Sequence, residues 1–458
     1  MTRPRTVPVA RGDHLTLDVD ALGDGPDGLG RVGDYVVFVP GVLPGERAEV
    51  RVTSANRKFA RGELLAVRRA APERVPARCA HFLACGGCHR QHQAYPAQLA
   101  DRQQRLQRAL GHALGDGAPR VPVPIAGEPF GQRHKVALHL RTGDDGGLQA
   151  CFHRLRSPEL VPVHECPTSQ PAAWRLAQQA VRLLATLGHG AWDPDFAPDG
   201  LLRSVLVRTT TTGQAQVLVV ARRADVPGLE RVLGALHDAG ATTIAVNGNA
   251  GEFSQLLGRE TRILSGPPRI EEQLRGLTYL LSPDAFFQTS PRAAEHLVRL
   301  VTEWLAPTRS DDVADLYCGG GLLTLPLAHT ARSAFGVELG RRAIQDAEAG
   351  ARANGIQNVR WRSGHVESWL AACRRGELPR PHLVAMDPPR AGLAPAVIDE
   401  LAALQPRRLA YVSCDLSSLG RDLRALQAAG FATRAVHPVD MFPQTAHLEA
   451  VACLERSA

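Results

Sequence analysis

Short apolar runs separated by glycine and proline open the chain, at residues 15–19, 35–39, 48–53 and 63–67. Strands of that length and spacing predict a small β-barrel. The period then changes. Over residues 96–114, Leu99, Leu106, Leu110 and Leu114 recur at helical spacing with Arg102, Arg105 and Arg108 between them, the pattern of an amphipathic basic helix. Residues 121–264 mix strand-like segments (135–140, 204–209, 216–221, 243–246) with helical ones (173–187, 228–239), as in an α+β domain. After Leu281 the alternation is strict. Strands at 313–316, 334–337, 359–362, 383–387 and 408–413 each give way to a helical pattern, and 433–439 and 448–454 are again strand-like. Such a succession predicts a doubly wound, mostly parallel sheet. The expected division is a barrel over 1–70, an α+β domain over 71–264 and an α/β domain over 265–458.

The longest apolar run, 35–43, is broken by Pro40, and residues 1–13 alternate Arg and Pro without an apolar stretch. No membrane span or export signal is expected, so the cytoplasm is the predicted location. The net charge of +7 is carried almost wholly by arginine, and it is uneven: residues 51–141 hold 16 basic side chains against five acidic ones. That footprint suits a polyanionic partner, although a solvated basic face would read the same way.

Nine cysteines in a cytoplasmic chain do not imply a disulfide framework. Three crowd together at Cys79, Cys85 and Cys88. The sequence Asp315-Leu-Tyr-Cys-Gly-Gly-Gly321 falls where a strand becomes a helix, a turn whose glycines admit a ligand close to the backbone. Glu338 ends the next strand, where an acid can bind ribose hydroxyls; this much serves NAD as readily as S-adenosylmethionine. Met386-Asp387-Pro388-Pro389-Arg390 ends the fourth strand, and a D-P-P element there is frequent in methyltransferases acting on nucleobases. Just before the sheet, Phe286 and Phe287 read as core, Gln288 as a buried amide needing a polar partner, and Ser290-Pro291 as N-cap and first turn of a helix.

Cys414 follows the strand at 408–413 and precedes a helix, whose N-terminus is expected to favour the thiolate. Taken alone it could be packing. Glu449 interrupts the closing apolar strand and could likewise be a strand-end surface residue. Together the two answer one chemical demand, alkylation of uracil at C5: a thiolate added at C6 makes C5 nucleophilic, and a carboxylate then removes the C5 proton. The target base must be extruded for the thiolate to reach its face.

With these residues the chain resembles the RNA 5-methyluridine methyltransferase family, in particular its 23S ribosomal-RNA branch. Gly28–Glu46 with the following Arg57-Lys-Phe-Ala-Arg-Gly-Glu-Leu-Leu-Ala-Val67 resembles the TRAM domain, an OB-like RNA-binding barrel. The resemblance implies a Rossmann-like class I methyltransferase domain, a TRAM barrel and a central α+β domain carrying a four-cysteine site. It implies Cys414 as nucleophile, Glu449 as base, and Gln288, Tyr317, Glu338 and Asp387 as contacts of S-adenosyl-L-methionine. Cys79, Cys85 and Cys88, with Cys166 as fourth, would bind a [4Fe-4S] cluster; four thiolates also suit zinc. His81, His89 and His92 are not expected to be ligands. The expected partner is RNA, most of all 23S rRNA, and the expected state a monomer. The T-loop uridine of tRNA and an RNA-binding assembly factor with an inert methyltransferase fold are the alternatives. The chain departs from the family at Asp415-Leu416, where Asn-Pro is usual, at Ser290, where Asn is usual, and at Gly364-His365-Val366-Glu367.

Overall fold

The computed structural model describes residues 7–193, 197–251 and 255–457; the expectations for residues 1–6 lie outside these. Five strands, β1 (His14–Leu22), β2 (Asp27–Val32), β3 (Tyr35–Pro40), β4 (Arg47–Ala55) and β5 (Phe59–Arg69), close into a barrel in the order β1-β2-β3-β5-β4. Alternate residues Val37, Val39, Ala48, Val50 and Val52 fill it. The apolar pattern does not predict β2 because glycine interrupts it, yet the glycines close the barrel: a Cβ on Gly28 would meet Val42 at 2.5 Å, and one on Gly30 the Asp18 carbonyl oxygen at 2.9 Å.

The helix α1 (Tyr95–Leu114) follows. Its spacing predicts a basic surface helix, and here the structure differs: Arg102 and Arg105 are buried. Leu106 and Leu110 join the core of the C-terminal sheet. Between α1 and that sheet the chain forms a second layer of seven strands: β6 (Lys135–Thr142), β7 (Leu148–His153), β8 (Leu160–Pro162), β9 (Leu202–Thr209), β10 (Ala215–Ala221), β11 (Thr243–Gly248) and β12 (Glu260–Ser265). Helices α2 (Pro171–Ala185) and α3 (Leu233–Asp238) cover it. A hairpin, β13 (Ile270–Leu274) and β14 (Leu277–Leu281), leads on.

The C-terminal domain alternates α4 (Pro291–Leu305), β15 (Asp312–Leu316), α5 (Thr324–Thr330), β16 (Ser333–Glu338), α6 (Arg341–Ala353), β17 (Val359–Ser363), α7 (Val366–Arg374), β18 (Leu383–Met386), α8 (Pro395–Leu404), β19 (Arg408–Ser413) and α9 (Leu416–Ala428). It closes with β20 (Phe431–Val439) and β21 (Glu449–Arg456), giving the order β17-β16-β15-β18-β19-β21-β20. The first five strands are parallel, and β21 runs antiparallel to both neighbours. Two apolar layers sandwich this sheet, as the unbroken apolar runs of its strands require. Among the described residues no helix is long and apolar enough to cross a membrane.

Candidate active site

Strand register assembles the site. Leu316 pairs with Val337 and Met386, and Met386 with Tyr411, so the residues just beyond these pairs, Tyr317, Glu338 and Asp387, emerge together at the carboxyl edge of the sheet. That edge is where open α/β sheets bind ligands. Ser413 pairs with Ala450 in the antiparallel register, and one step further along it sets Cys414 opposite Glu449. Residues far apart in the chain thereby become cross-strand neighbours.

The Gly-rich turn is held in an unusual backbone. Tyr317 has φ 64°, a left-handed conformation uncommon for a non-glycine residue, and Gly319 and Gly321 follow at 52° and 84°. Glu338 fastens the turn from the neighbouring strand, accepting from Gly319 N–H at 3.2 Å and from Gly340 N–H at 2.8 Å. Asp315 is buried beneath it; one carboxylate oxygen accepts from Thr324 Oγ1 at 2.5 Å and the other has no partner among the described residues. Burial, with Asp387 and Glu338 nearby, pushes Asp315 up to about 7, and burial also lifts Asp387 to about 7. Three carboxylates around one turn make a field that favours a cation. S-adenosylmethionine, with its sulfonium and ammonium groups, suits carboxyls raised in this way, since a cation stabilises their ionised forms.

Phe287 packs on Tyr279 with ring centroids 5.7 Å apart, as a core residue should, but the expectation for Phe286 fails: it is 72% exposed. Gln288 is half-buried and next to Phe287. Ser290 does cap α4, accepting from Ala293 N–H.

Cys414 is half-buried in the turn before α9, and its thiol is raised, not lowered as proximity to a helix terminus predicts. Burial and the carboxylates of Glu449 and Asp387 push it up; Arg390 pulls it down. Cys414 lies one residue outside the helix: Asp415 is the N-cap, and its side chain accepts from Ser418 N–H at 2.8 Å. The departure at Asp415 therefore preserves a cap. Glu449 is 3% exposed, and burial and Asp387 raise it well above the ordinary carboxylate range, with Arg390 again opposing. A buried acid beside a thiol is poised to accept a proton.

Arg390 closes the D-P-P element, and the sequence alone assigns it no role. The structure brings this cation within electrostatic reach of Cys414 and Glu449, lowering both. Its loop is set by Asp422 of α9, which accepts from Leu393 N–H and Tyr411 Oη–H, each at 2.8 Å, while Gly392 turns at φ 78°.

The segment leading to Glu449 is fixed from a distance. Arg102 donates to the carbonyls of Thr445, Phe442 and His447 at 2.8, 3.2 and 3.3 Å, and Arg105 to that of Ala446 at 2.9 Å. Asp440, wholly buried, lies 3.3 Å from Arg102 and accepts from Tyr95 Oη at 2.7 Å. The cysteine-rich segment grips the same loop: His89 and Arg90 N–H both donate to the Gln444 carbonyl, and Ala446 N–H to His89 Nδ1.

Cys79, Cys85, Cys88 and Cys166 are all half-buried free thiols. They come within electrostatic reach of one another, and burial with these neighbours pushes Cys85 up to about 11. Among the described residues no three His, Cys, Asp or Glu side chains are placed as ligands of a single metal ion. His89 and His92 are buried, and burial holds them near 3 and 4, while His81 meets His164 edge to face. Of the other cysteines, Cys151, Cys318, Cys373 and Cys453 are buried thiols within the protein interior.

Comparison with known proteins shows the family. The tRNA (Uracil-5-)-methyltransferase family matches residues 258–457 and the TRAM domain residues 8–65. An uncharacterized RNA methyltransferase of Gloeobacter violaceus is 35% identical over 98% of this chain and 97% of its own length. One from Listeria innocua is 34% identical over 98% and 99%. The crystal structure of Pyrococcus abyssi tRNA (uracil-54, C5)-methyltransferase in complex with S-adenosyl-L-homocysteine superposes with a TM-score of 0.75 at 25% identity, covering 96% of this chain and all of that one. The chain belongs to the S-adenosylmethionine-dependent RNA (uracil-C5) methyltransferase family.

Proposed function

We propose that the protein methylates C5 of a uridine in 23S ribosomal RNA through a covalent adduct with Cys414. The observation that carries the chemistry is the register that sets Cys414 opposite Glu449 beside Asp387 and the Gly-rich turn. S-adenosylmethionine, when bound by Tyr317, Glu338, Asp387 and Gln288, supplies an electrophilic methyl group. Cys414 loses its proton to solvent water and bonds as the thiolate to C6 of the extruded uracil, and the ring electrons move to C5, which would take the methyl as S-adenosylhomocysteine leaves. Glu449 removes the C5 proton; the pair of electrons from that C–H bond re-forms the C5–C6 double bond and expels the Cys414 thiolate. Arg390 stands where it can favour both ionised groups.

The four thiols suit a [4Fe-4S] cluster. Gly87 N–H donates to Cys85 Sγ at 3.3 Å, a bond of the kind that tunes cluster sulfurs, and a Cβ on Gly86 would meet Leu155 Cα at 3.1 Å, so the ligand loop needs its glycines. Such a centre, held by Cys79, Cys85, Cys88 and Cys166, would tie the loop to the rest of the chain. Protein purified without oxygen should absorb broadly in the visible and contain iron and sulfide; a colourless, zinc-loaded preparation contradicts this.

The tRNA reading has a specific observation in its favour, because the similar Pyrococcus abyssi enzyme acts on uracil-54 of tRNA and matches nearly the whole chain, barrel included. The inert-factor reading has none, since Cys414 and Glu449 are both in place. Labelled S-adenosylmethionine offered separately with 23S rRNA and with tRNA decides the substrate. Label in 23S rRNA supports the proposal; label in tRNA alone overturns it; label in neither returns the assembly-factor reading.

A further inference from the structure

A broad groove that the catalytic chemistry leaves unused lies between α1 and α9. It has a volume of about 770 Å3. Its floor is made of small residues where the helices approach closely: a Cβ on Gly420 would meet Ala113 Cβ at 3.4 Å. Its walls are basic. Arg105, Arg108 and His112 face it from α1, spaced three and four residues apart, and Arg421 and Arg424 from α9, three apart. Asp24 is the single acid among the lining residues, and it is already paired with Arg105.

Three features separate this groove from an ordinary solvated face. Its cations converge on a concavity, where like charges reinforce one another and an anion offsets the repulsion. Arg108 is exposed and has no ion pair among the described residues. Arg424 is tethered to the carbonyls of His112 and Ala113, and Arg421 to that of Ala391 and to the Asp422 carboxylate, which holds their guanidiniums in place at little further entropic cost on binding. The location adds a fourth. One end of the groove is formed by Leu416 and Ser417, two and three residues beyond Cys414. Its other border is the Asp24 turn of the barrel, which Arg90 clamps through the carbonyls of Gly23, Gly25 and Pro26.

We infer that this groove is a track for the RNA backbone, with Arg108, Arg421 and Arg424 holding phosphates that flank the extruded uridine. The inference rests on RNA being the substrate and adds where the strand runs. Phosphate contacts of this kind fix register without reading sequence, so the groove supplies affinity and alignment, and the choice of uridine is made elsewhere. The chain's basic surplus is thereby divided in two: Arg102 and Arg105 hold protein carbonyls, and the outer arginines hold RNA.

The test is the salt dependence of binding by the full-length protein to a fluorescein-labelled 20-nucleotide oligouridine, followed by anisotropy. For single-stranded RNA, each phosphate that the protein no longer neutralises should reduce the slope of log K against log salt by about 0.7. Arg108→Gln should lower it by about 0.7 and Arg108→Gln with Arg424→Gln by about 1.4, with S-adenosylmethionine affinity unchanged in both and melting temperature unchanged in the single variant. In turnover the same variants should raise KM for RNA and leave kcat near wild type. Wild-type slope in the double variant overturns the track, as does a slope that falls only together with cofactor affinity. Arg108 touches nothing that the fold needs, so its single variant answers even if the double is unstable. Failure of the wild-type protein to methylate any RNA would count against the proposed function instead, because the slopes are read from binding alone.

Discussion

Replacing Arg102 by Met should leave a folded protein that adds to RNA and methylates it but releases it slowly. Arg102 is 1% exposed and serves three carbonyls of the segment 442–447 as well as facing Asp440. Removing one partner of a buried charged pair costs about 3–5 kcal/mol. The lower end applies, because the Arg102–Asp440 contact lacks hydrogen-bond geometry and burial already raises the Asp440 carboxyl, so that it can take up a proton instead. For a domain of this size a melting temperature on the order of ten degrees lower is expected. The freed carbonyls let the loop shift, and Glu449 begins the strand two residues beyond His447. A misplacement of about 1 Å costs roughly 100-fold in a positioned proton transfer, so loss of the C5 proton should slow by about 10–100-fold while methyl transfer changes little. The assay is a single-turnover reaction with labelled RNA, quenched in detergent and run on a denaturing gel. Methylated RNA retarded by the protein should accumulate in Arg102→Met and be fleeting in the wild type. Adding Asp440→Asn should recover part of the melting temperature, since the stranded charge is gone, but not the release rate. A variant that melts about ten degrees lower yet shows no excess adduct would refute the reasoning, for then the arginine holds the fold without positioning the base.

Two further outcomes follow from the site. In the wild type, kcat/KM should rise with pH into the alkaline range, since the raised Cys414 and Glu449 both gain charge by losing protons. Arg390→Gln, removing the cation that lowers both, should move that rising limb to higher pH in a stopped-time methylation profile; a limb that stays put or moves down contradicts the role. Asp415→Asn, which restores the family's usual residue, should keep both cap and activity, whereas Asp415→Ala should lose about 1 kcal/mol in chemical denaturation; equal stability of the two would show that the cap is not what matters at that position.

The parallel strands of the C-terminal sheet are legible in the sequence because each is a compact apolar run ending at a chemically distinctive residue. Asp387 stands out through its D-P-P element, and Cys414, which alone could be packing, through its company with that element, the Gly-rich turn and Glu449. The pairing of Cys414 with Glu449 does not, since it depends on the antiparallel register of β21 against β19, a long-range contact that leaves no local period. Arg102 and Arg105 mislead for a related reason. Their spacing between leucines reads as the polar face of a surface helix, but α1 is covered on that side by the 440–448 loop, whose carbonyls satisfy the guanidiniums. Arg390 could be suspected from its place at the end of the D-P-P element, where a strand-end loop turns over the pocket. The expectation of a lowered Cys414 thiol fails because burial and the Glu449 and Asp387 carboxylates, which the local sequence does not reveal, push it up.

The central claim is that Cys414 and Glu449 act as one covalent pair. Glu449→Gln, incubated with RNA and S-adenosylmethionine, digested with nuclease and protease and measured by mass spectrometry, tests it most directly. A peptide containing Cys414 that carries a methylated uridine nucleotide should form, and no such adduct should form in Cys414→Ala. Unmodified Cys414 peptide in Glu449→Gln together with 5-methyluridine formed at the wild-type rate would contradict it.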